Sequence, residues 1–330
     1  MTIDTTFRAL ADSTRLRILR LVGSMELAVG EIAQVLGQSQ PRVSRHIGIL
    51  TSAGLAERRR EGSWVFLRAT PSGDRATPLR EAIAAMLESA ELEDPDFARA
   101  CVQDRQRLAA IRATREEEAA AYLAAHAHDW DELRRMHTSD EQVETALAQA
   151  LDTHDLGRLL DIGTGTGRMA ELFERSADYI VALDKSLAML RVARAKLQHL
   201  PTERVELVQG DFASLPFGDA LFDTVLFHQV LHFAPDPAAA LVEAGRVLRP
   251  GGRVAIVDFA AHQREELREK HAHARLGFRD DQMARFLADA GFTSSDPQAL
   301  EGGELVVKIW VCTRLDADHA RSDSQRKVAS

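Results

Sequence analysis

The chain has 330 residues, 45% hydrophobic and 28% charged, with a formal net charge of −9. That is the composition of a soluble globular protein with room for two domains and a connector. The opening MTIDTTFRAL lacks the basic and apolar regions of a signal peptide, and no apolar run approaches the roughly 18–20 residues of a membrane span. Cys101 and Cys312 show no metal-ligand spacing, so a reducing, cytoplasmic setting is expected.

The average charge hides an asymmetry. Residues 1–80 hold 12 Arg, no Lys and 7 acidic residues, a net of +5, which leaves −14 on the remainder. A basic piece on an acidic body predicts a DNA-binding module attached to a soluble domain.

The first predicted element is a helical stretch opening with Phe7–Arg17, where Leu10, Leu16, Ile18 and Leu19 recur near helical spacing. A short helix follows over Val29–Leu36 and ends at Gly37. Ser39 is placed to cap a third helix over Pro41–Ser52, with Pro41 in its first turn. That helix displays Gln40, Arg42, Ser44, Arg45 and His46, with Val43, Ile47 and Leu50 facing inward. Short polar and Arg side chains at a helix start suit the major groove. Next comes a predicted hairpin wing around Glu61-Gly62, with Arg58, Arg59 and Arg60 suited to phosphate contact.

Residues 5–90 resemble the ArsR/SmtB winged-helix repressor family. The matching segments are Ala9–Leu19, Ser39–His46 and Arg60–Val65. The resemblance implies a homodimer on double-stranded operator DNA, with the helix at Pro78–Ala90 in the dimer face. One departure matters: metal-sensing members carry Cys-Val-Cys where this chain has Ala28-Val29-Gly30, and soft thiolates are what such sites need. No metal site is expected.

Residues 91–142 read as a helical connector after a 1–90 winged-helix domain. Tyr122, His126 and Trp130 fall on one helix face at i, i+4, i+8. Core packing and a lid over a ligand pocket both explain that stripe.

From Arg158 strands and helices alternate. Strands are predicted at Leu159–Ile162, Tyr179–Leu183, Val205–Gln209, Asp223–Phe227 and Arg253–Asp258. A last strand within Glu304–Thr313 is predicted as an antiparallel edge. Helices are predicted at Arg168–Ser176, Leu187–Leu197, Pro237–Val247 and Asp281–Ala290. The pattern is doubly wound α/β, which places ligands beyond the carboxyl ends of the strands. Gly163, Gly165 and Gly167 follow the first strand, but Arg168 stands where the dinucleotide fingerprint needs spacing for a third Gly. The loop therefore favours close backbone approach over pyrophosphate binding.

Together with Asp161, Asp184, Asp211 and the Pro250-Gly251-Gly252 turn, residues 120–313 resemble class I S-adenosylmethionine-dependent methyltransferases, especially the UbiE-like group. The resemblance implies a seven-stranded Rossmann-like sheet in a domain at 143–315; the polar run at 316–330 reads as a disordered tail. It implies S-adenosyl-L-methionine or S-adenosyl-L-homocysteine as cofactor. Asp161, Gly163, Thr164, Gly165 and Gly167 would line its methionine and ribose side. Asp184 with Lys185 would hold the ribose; Gly210, Asp211 and Phe212 would meet adenine; His228 would sit near the sulfonium.

Of His228 and His232, His228 is the preferred general base, with a pocket-wall role as its alternative. His271 and His273 lie in a polar stretch placed to cover an acceptor pocket. Arsenic methylation is excluded, because the two cysteines do not supply the several thiols it uses. Two readings remain. The chain is a repressor that senses the cofactor, or a small-molecule methyltransferase whose winged helix serves autoregulation or dimerisation.

Overall fold

The structure, a computed structural model, describes residues 2–61, 64–69, 78–125, 140–152, 156–201, 203–293 and 296–315. Contacts divide the chain into two compact units, Met1–Glu117 and Glu118–Ser330.

The first unit opens with α1 (Ile3–Leu10) and α2 (Ser13–Ser24). The single helical stretch expected over Phe7–Arg17 is broken at Ala11-Asp12. Asp12 is extended and its carboxylate accepts the Arg15 N–H at 3.1 Å, so it caps α2 instead of continuing α1. β1 (Leu27–Ala28) leads into α3 (Val29–Leu36), which ends as expected at Gly37 with φ +62°. α4 (Gln40–Ser52) starts after Ser39 with Pro41 in its first turn, but the Ser39 hydroxyl makes no capping bond. β2 (Ala56–Glu61) and β3 (Trp64–Ala69) pair as an antiparallel hairpin, and β1 adds to the far side of β3. The predicted turn residues Gly62 and Ser63 lie outside the described residues.

Ile18, Ile32, Val43, Ile47, Leu50 and Leu67 form one core, which α5 (Pro78–Glu93) joins through Ile83 and Leu87. α6 (Pro95–Ala125) crosses the unit boundary, and its first part packs on the winged helix. Leu108 enters that core. Arg17 grips the buried Asp104 with both Nε (2.7 Å) and Nη2 (2.5 Å). Arg107 donates to the carbonyl of Val35 in the last turn of α3. Among the described residues no helix is long and apolar enough to cross a membrane.

The second unit opens, among the described residues, with the last part of α6 and with α7 (Asp140–Leu151). Its sheet then alternates strand and helix: β4 (Arg158–Ile162), α8 (Arg168–Leu172), β5 (Tyr179–Asp184), α9 (Leu187–Lys196), β6 (Val205–Gln209), β7 (Phe222–His228), α10 (Pro237–Val247) and β8 (Leu248–Phe259). After α11 (Glu265–Lys270) and α12 (Asp280–Asp289), β9 (Gln298–Leu300) and β10 (Val307–Thr313) close the sheet. The seven strands lie in the order β6-β5-β4-β7-β8-β10-β9. The pairings from β6 to β8 are parallel; β10 is antiparallel to both neighbours. The last strand is thus antiparallel as expected, but it is not the edge: β9, too short to show in the sequence, covers it.

Both faces are buried, so the central strands read as near-continuous apolar runs. Leu160, Val225, Phe227 and Ile256 pack under α10 and α12. Leu159, Leu226 and Val257 pack under α7 and α8. The chain winds outward from β4 to β6, then returns to lay β7 on the other side of β4. That reversal opens the crevice where ligands enter such sheets, between the loops after β4 and β7.

Candidate cofactor site and nucleic-acid interface

In the first unit, Gln40, Arg42 and Arg45 are exposed on α4, as expected, and Ser44 is half-buried. Ser39, Pro41, Arg42, Arg45, His46 and Ile49 line an open groove along that helix. Ile49, 44% exposed, was not foreseen; it lies on the outward face opposite Ile47 and Leu50 and offers an apolar contact. His46 is not displayed. Its Nδ1 turns to within 3.6 Å of Asp12 Oδ1 and its side chain is 15% exposed.

The three wing arginines also divide. Strand side chains alternate, so Arg58 and Arg60 point outward and Arg59 inward. Arg59 bonds Glu26 through Nε (3.1 Å) and Nη2 (2.9 Å), bonds Glu61 through Nη1 (2.9 Å), and lies over the Phe66 ring. Burial opposes its charge, yet the two carboxylates outweigh that and raise its pKa. Arg59 is therefore a structural cation, and the expectation that it contacts phosphate is corrected. Arg58 lies along α4, donating to the Ser44 carbonyl at 2.9 Å.

In the second unit the loop after β4 is built on left-handed glycines: Gly163, Gly165 and Gly167 have φ of +69°, +55° and +83°. A Cβ on Gly163 would fall 2.2 Å from Val230 Cγ2, and one on Gly167 would fall 2.9 Å from Leu197 Cδ1. Glycine is needed for both conformation and space. The backbone N–H groups of Gly163 and Thr164 bond the Leu183 carbonyl, which ties the loop to β5. Asp161 is buried and its Oδ2 accepts the Thr164 hydroxyl at 2.6 Å.

Asp184, at the end of β5, accepts the Gly165 N–H on Oδ2 and the Ser186 N–H on Oδ1, both at 2.8 Å. Burial pushes its carboxyl above the ordinary range despite those donors. At the end of β6, Asp211 bonds Lys185 Nζ at 2.9 Å and the Ala213 N–H at 2.9 Å. Burial works against its charge, but these partners hold its pKa below the usual value. Gly210 is close-packed on Leu183, and Phe212 packs against the core below α10. Arg168, where a dinucleotide loop would differ, instead grips Glu144 of α7 with Nε (2.7 Å) and Nη2 (2.6 Å), which raises its pKa.

The glycine loop, Asp184 and Asp211 thus stand at the carboxyl ends of the neighbouring strands β4, β5 and β6, with Asp184 bonded to Gly165 and Asp211 to Lys185. That set fits a ligand with vicinal hydroxyls and a flat base, which needs close backbone approach and two acceptors.

Two family models match. Residues 12–58 match the bacterial regulatory protein arsR family, and residues 160–256 match a methyltransferase domain. The chain joins an arsR-type helix-turn-helix to a methyltransferase domain. A demethylmenaquinone methyltransferase of Streptomyces avermitilis is 39% identical over 114 residues, covering 34% of this chain and 47% of that protein. The UbiE ubiquinone/menaquinone biosynthesis C-methyltransferase of Vibrio parahaemolyticus is 32% identical over 158 residues, covering 44% and 61%. The chain spans about half the length of the first curated relatives it matches. A solved S-adenosylmethionine-dependent methyltransferase from Mesorhizobium loti is 17% identical, covers 52% of this chain and 96% of its own, and gives a TM-score of 0.45.

Within the methyltransferase domain, His228 ends β7 and is buried beside the cradle, since β7 pairs with β4. Gln229 follows at φ +51°, and Val230 then packs on Gly163. Sequence reasoning missed what comes next. His232, on a 3-10 turn at Leu231–Phe233, places Nδ1 2.8 Å from Oδ1 of Asp258, and both side chains are buried. His273 stacks on the His232 ring with centroids 4.1 Å apart. The polar stretch around His271 and His273 is helical only to Lys270, and His273 turns inward beyond it. The available signal was the position of Asp258 at a strand's carboxyl end. Among the described residues no group of His, Cys, Asp and Glu could hold a metal ion. Of the expected lid stripe, Tyr122 falls within α6 but its side chain is outside the description, as are His126 and Trp130 and the tail at 316–330.

Proposed function

We propose that the protein is a DNA-binding transcriptional regulator whose methyltransferase domain binds S-adenosylmethionine and S-adenosylhomocysteine. It senses the cofactor, and it also transfers the methyl group to a small molecule. The observation that carries this reading is the Gly165–Asp184 bond. It pre-sets the cradle on the same chain as an exposed recognition helix.

In this reading Gly163, Gly165 and Gly167 admit the cofactor's backbone-facing side. Asp161 and Thr164 hold the loop's shape. Asp184 accepts the ribose hydroxyls, and Asp211, positioned by Lys185, meets the adenine amine beside Gly210 and Phe212. The bound cofactor supplies an electrophilic methyl group; the protein's part is to aim an acceptor at it and exclude water. On the DNA side, Gln40, Arg42, Ser44 and Arg45 enter the major groove while Arg58 and Arg60 meet phosphates. The winged helices act as a homodimer, which matches a two-fold operator.

The deciding experiment is fluorescence anisotropy of the protein on its own promoter DNA, titrated separately with S-adenosylmethionine and S-adenosylhomocysteine. A ligand-dependent shift in operator affinity is expected. If both ligands bind by calorimetry and neither moves the operator affinity, the sensing reading fails and the methyltransferase reading stands alone.

A further inference from the structure

The loops after β7 and β8 carry a second constellation that the cofactor does not use. Three donors converge on Asp258: the His232 N–H at 3.1 Å on Oδ2, and the Phe259 N–H and His232 Nδ1 at 2.8 Å on Oδ1. The carboxylate is the acceptor in each, so Nδ1 carries a proton, and in the neutral ring the lone pair is then on Nε2. The ring is held by stacking on His273 and by Phe233 and Phe259, with centroids 4.2 and 5.2 Å away. The turn itself is clamped by the Arg275 N–H on the His232 carbonyl and by Arg275 Nη2 on the Pro235 carbonyl.

The constellation also lacks something a ligand would supply. His262, which packs edge-on to Phe259, accepts the Arg264 N–H on Nδ1, so its Nε2 bears a hydrogen. That Nε2 is buried and has no hydrogen-bond partner among the described residues. Burial, reinforced by neighbouring His232, lowers its pKa to about 4, so it is a neutral donor at physiological pH. A buried N–H left unmet is destabilising, and a ligand oxygen placed there would satisfy it. Val230, two residues before His232, packs on Gly163 of the cradle, which sets this turn next to the loop assigned to the cofactor.

We propose that His232 is the general base of methyl transfer, that Asp258 is its positioning residue, and that the acceptor is an oxygen acid whose hydroxyl must be deprotonated. This rests on the methyltransferase reading above. The acceptor O–H bond breaks, a new N–H bond forms at Nε2, and the electron pair left on oxygen bonds the incoming methyl carbon. The pair of the broken carbon–sulfur bond stays with the sulfur of the sulfonium donor. His262 Nε2–H steadies the oxygen as its charge develops. His232 thus takes the role that sequence reasoning gave to His228.

The test is nitrogen-15 NMR of the full-length protein labelled at histidine, with the His232 ring identified by its loss in His232→Asn. At about pH 7.5 the Nδ1–H tautomer with an unprotonated Nε2 is expected. An Nε2–H tautomer or an imidazolium there overturns the proposal, since neither accepts a proton. In parallel, calorimetry with S-adenosylhomocysteine should give His232→Asn an affinity within about threefold of the unsubstituted protein, and a loss beyond about tenfold would move the ring into the cofactor cradle and overturn it too. An unsubstituted protein that binds no S-adenosylhomocysteine would instead sink the methyltransferase reading, whatever the tautomer.

Discussion

Asp184 is half-buried before its ligand arrives. Burial raises its carboxyl, so the ionised form is disfavoured in the free protein. Its contribution to stability is therefore present at low pH and fades as pH rises through the raised value. Cofactor binding runs the other way, because ribose hydroxyls donate to the ionised form. Affinity should fall on acidification at a pH above the ordinary carboxylate range, and binding near that pH should release protons. Calorimetry in two buffers of different ionisation enthalpy measures the release; a buffer-independent heat would remove Asp184 from the ribose site. Asp184→Asn should lose roughly 10–100-fold in affinity, as hydrogen bonds to a charged acceptor predict. At Gly163 the argument is steric. Gly163→Ala must hold a left-handed φ and meets Val230, so a destabilisation of about 2–4 kcal/mol is expected. Val230→Ala in the same chain should restore the steric part but not the conformational part. Urea unfolding of the four proteins in that cycle separates the two; simple additivity would mean the residues do not meet.

At the scale of elements, the wing offers three adjacent arginines with two different fates. Arg59→Ala breaks a buried ion pair with Glu26 and Glu61 and should cost the first unit about 3 kcal/mol in urea unfolding. Arg45→Ala, on the open face of α4, should leave that unfolding unchanged and weaken operator binding by about tenfold. Gel shifts on both variants test the division: a properly folded Arg59→Ala protein with operator affinity lost as in Arg45→Ala would return Arg59 to the DNA face. The same wing shows where sequence reading stops. Three arginines in a row announce positive charge, but which of them points inward depends on strand register, and Glu26 lies 33 residues away. Elements with apolar periodicity and a clear stop were legible to the residue, as α3 with Gly37, β6 and α10 were. The break at Asp12 was not, because a single capping carboxylate inside an Arg-rich run leaves the apolar spacing intact. β9 and α11, of three and six residues, are too short for any periodicity to mark. The cradle was legible because backbone geometry demands its glycines. The His232–Asp258 pair was not, because it joins the ends of two neighbouring strands 26 residues apart.

At the scale of the whole molecule, two compact units on one chain predict two unfolding transitions. A ligand that binds only one native unit stabilises that unit by mass action, by about 2.7 kcal/mol at a hundredfold excess over its dissociation constant. S-adenosylhomocysteine should therefore raise the transition of the methyltransferase unit in differential scanning calorimetry. What happens to the winged-helix transition separates the two functional readings. An enzyme that merely carries a DNA-binding unit leaves it in place. A cofactor sensor needs a coupling of about 1–3 kcal/mol, or about 5–150-fold in operator affinity, and linkage makes that coupling reciprocal. Operator DNA must then change the cofactor's affinity by the factor with which the cofactor changes the operator's. We expect equal factors from calorimetry with and without operator and from anisotropy with and without cofactor. Unequal factors would mean that one titration reports something other than the folded protein's own two sites. Two factors of one, with both ligands bound, would show two independent functions sharing a chain, and α6, although continuous across the boundary, would then be a tether only.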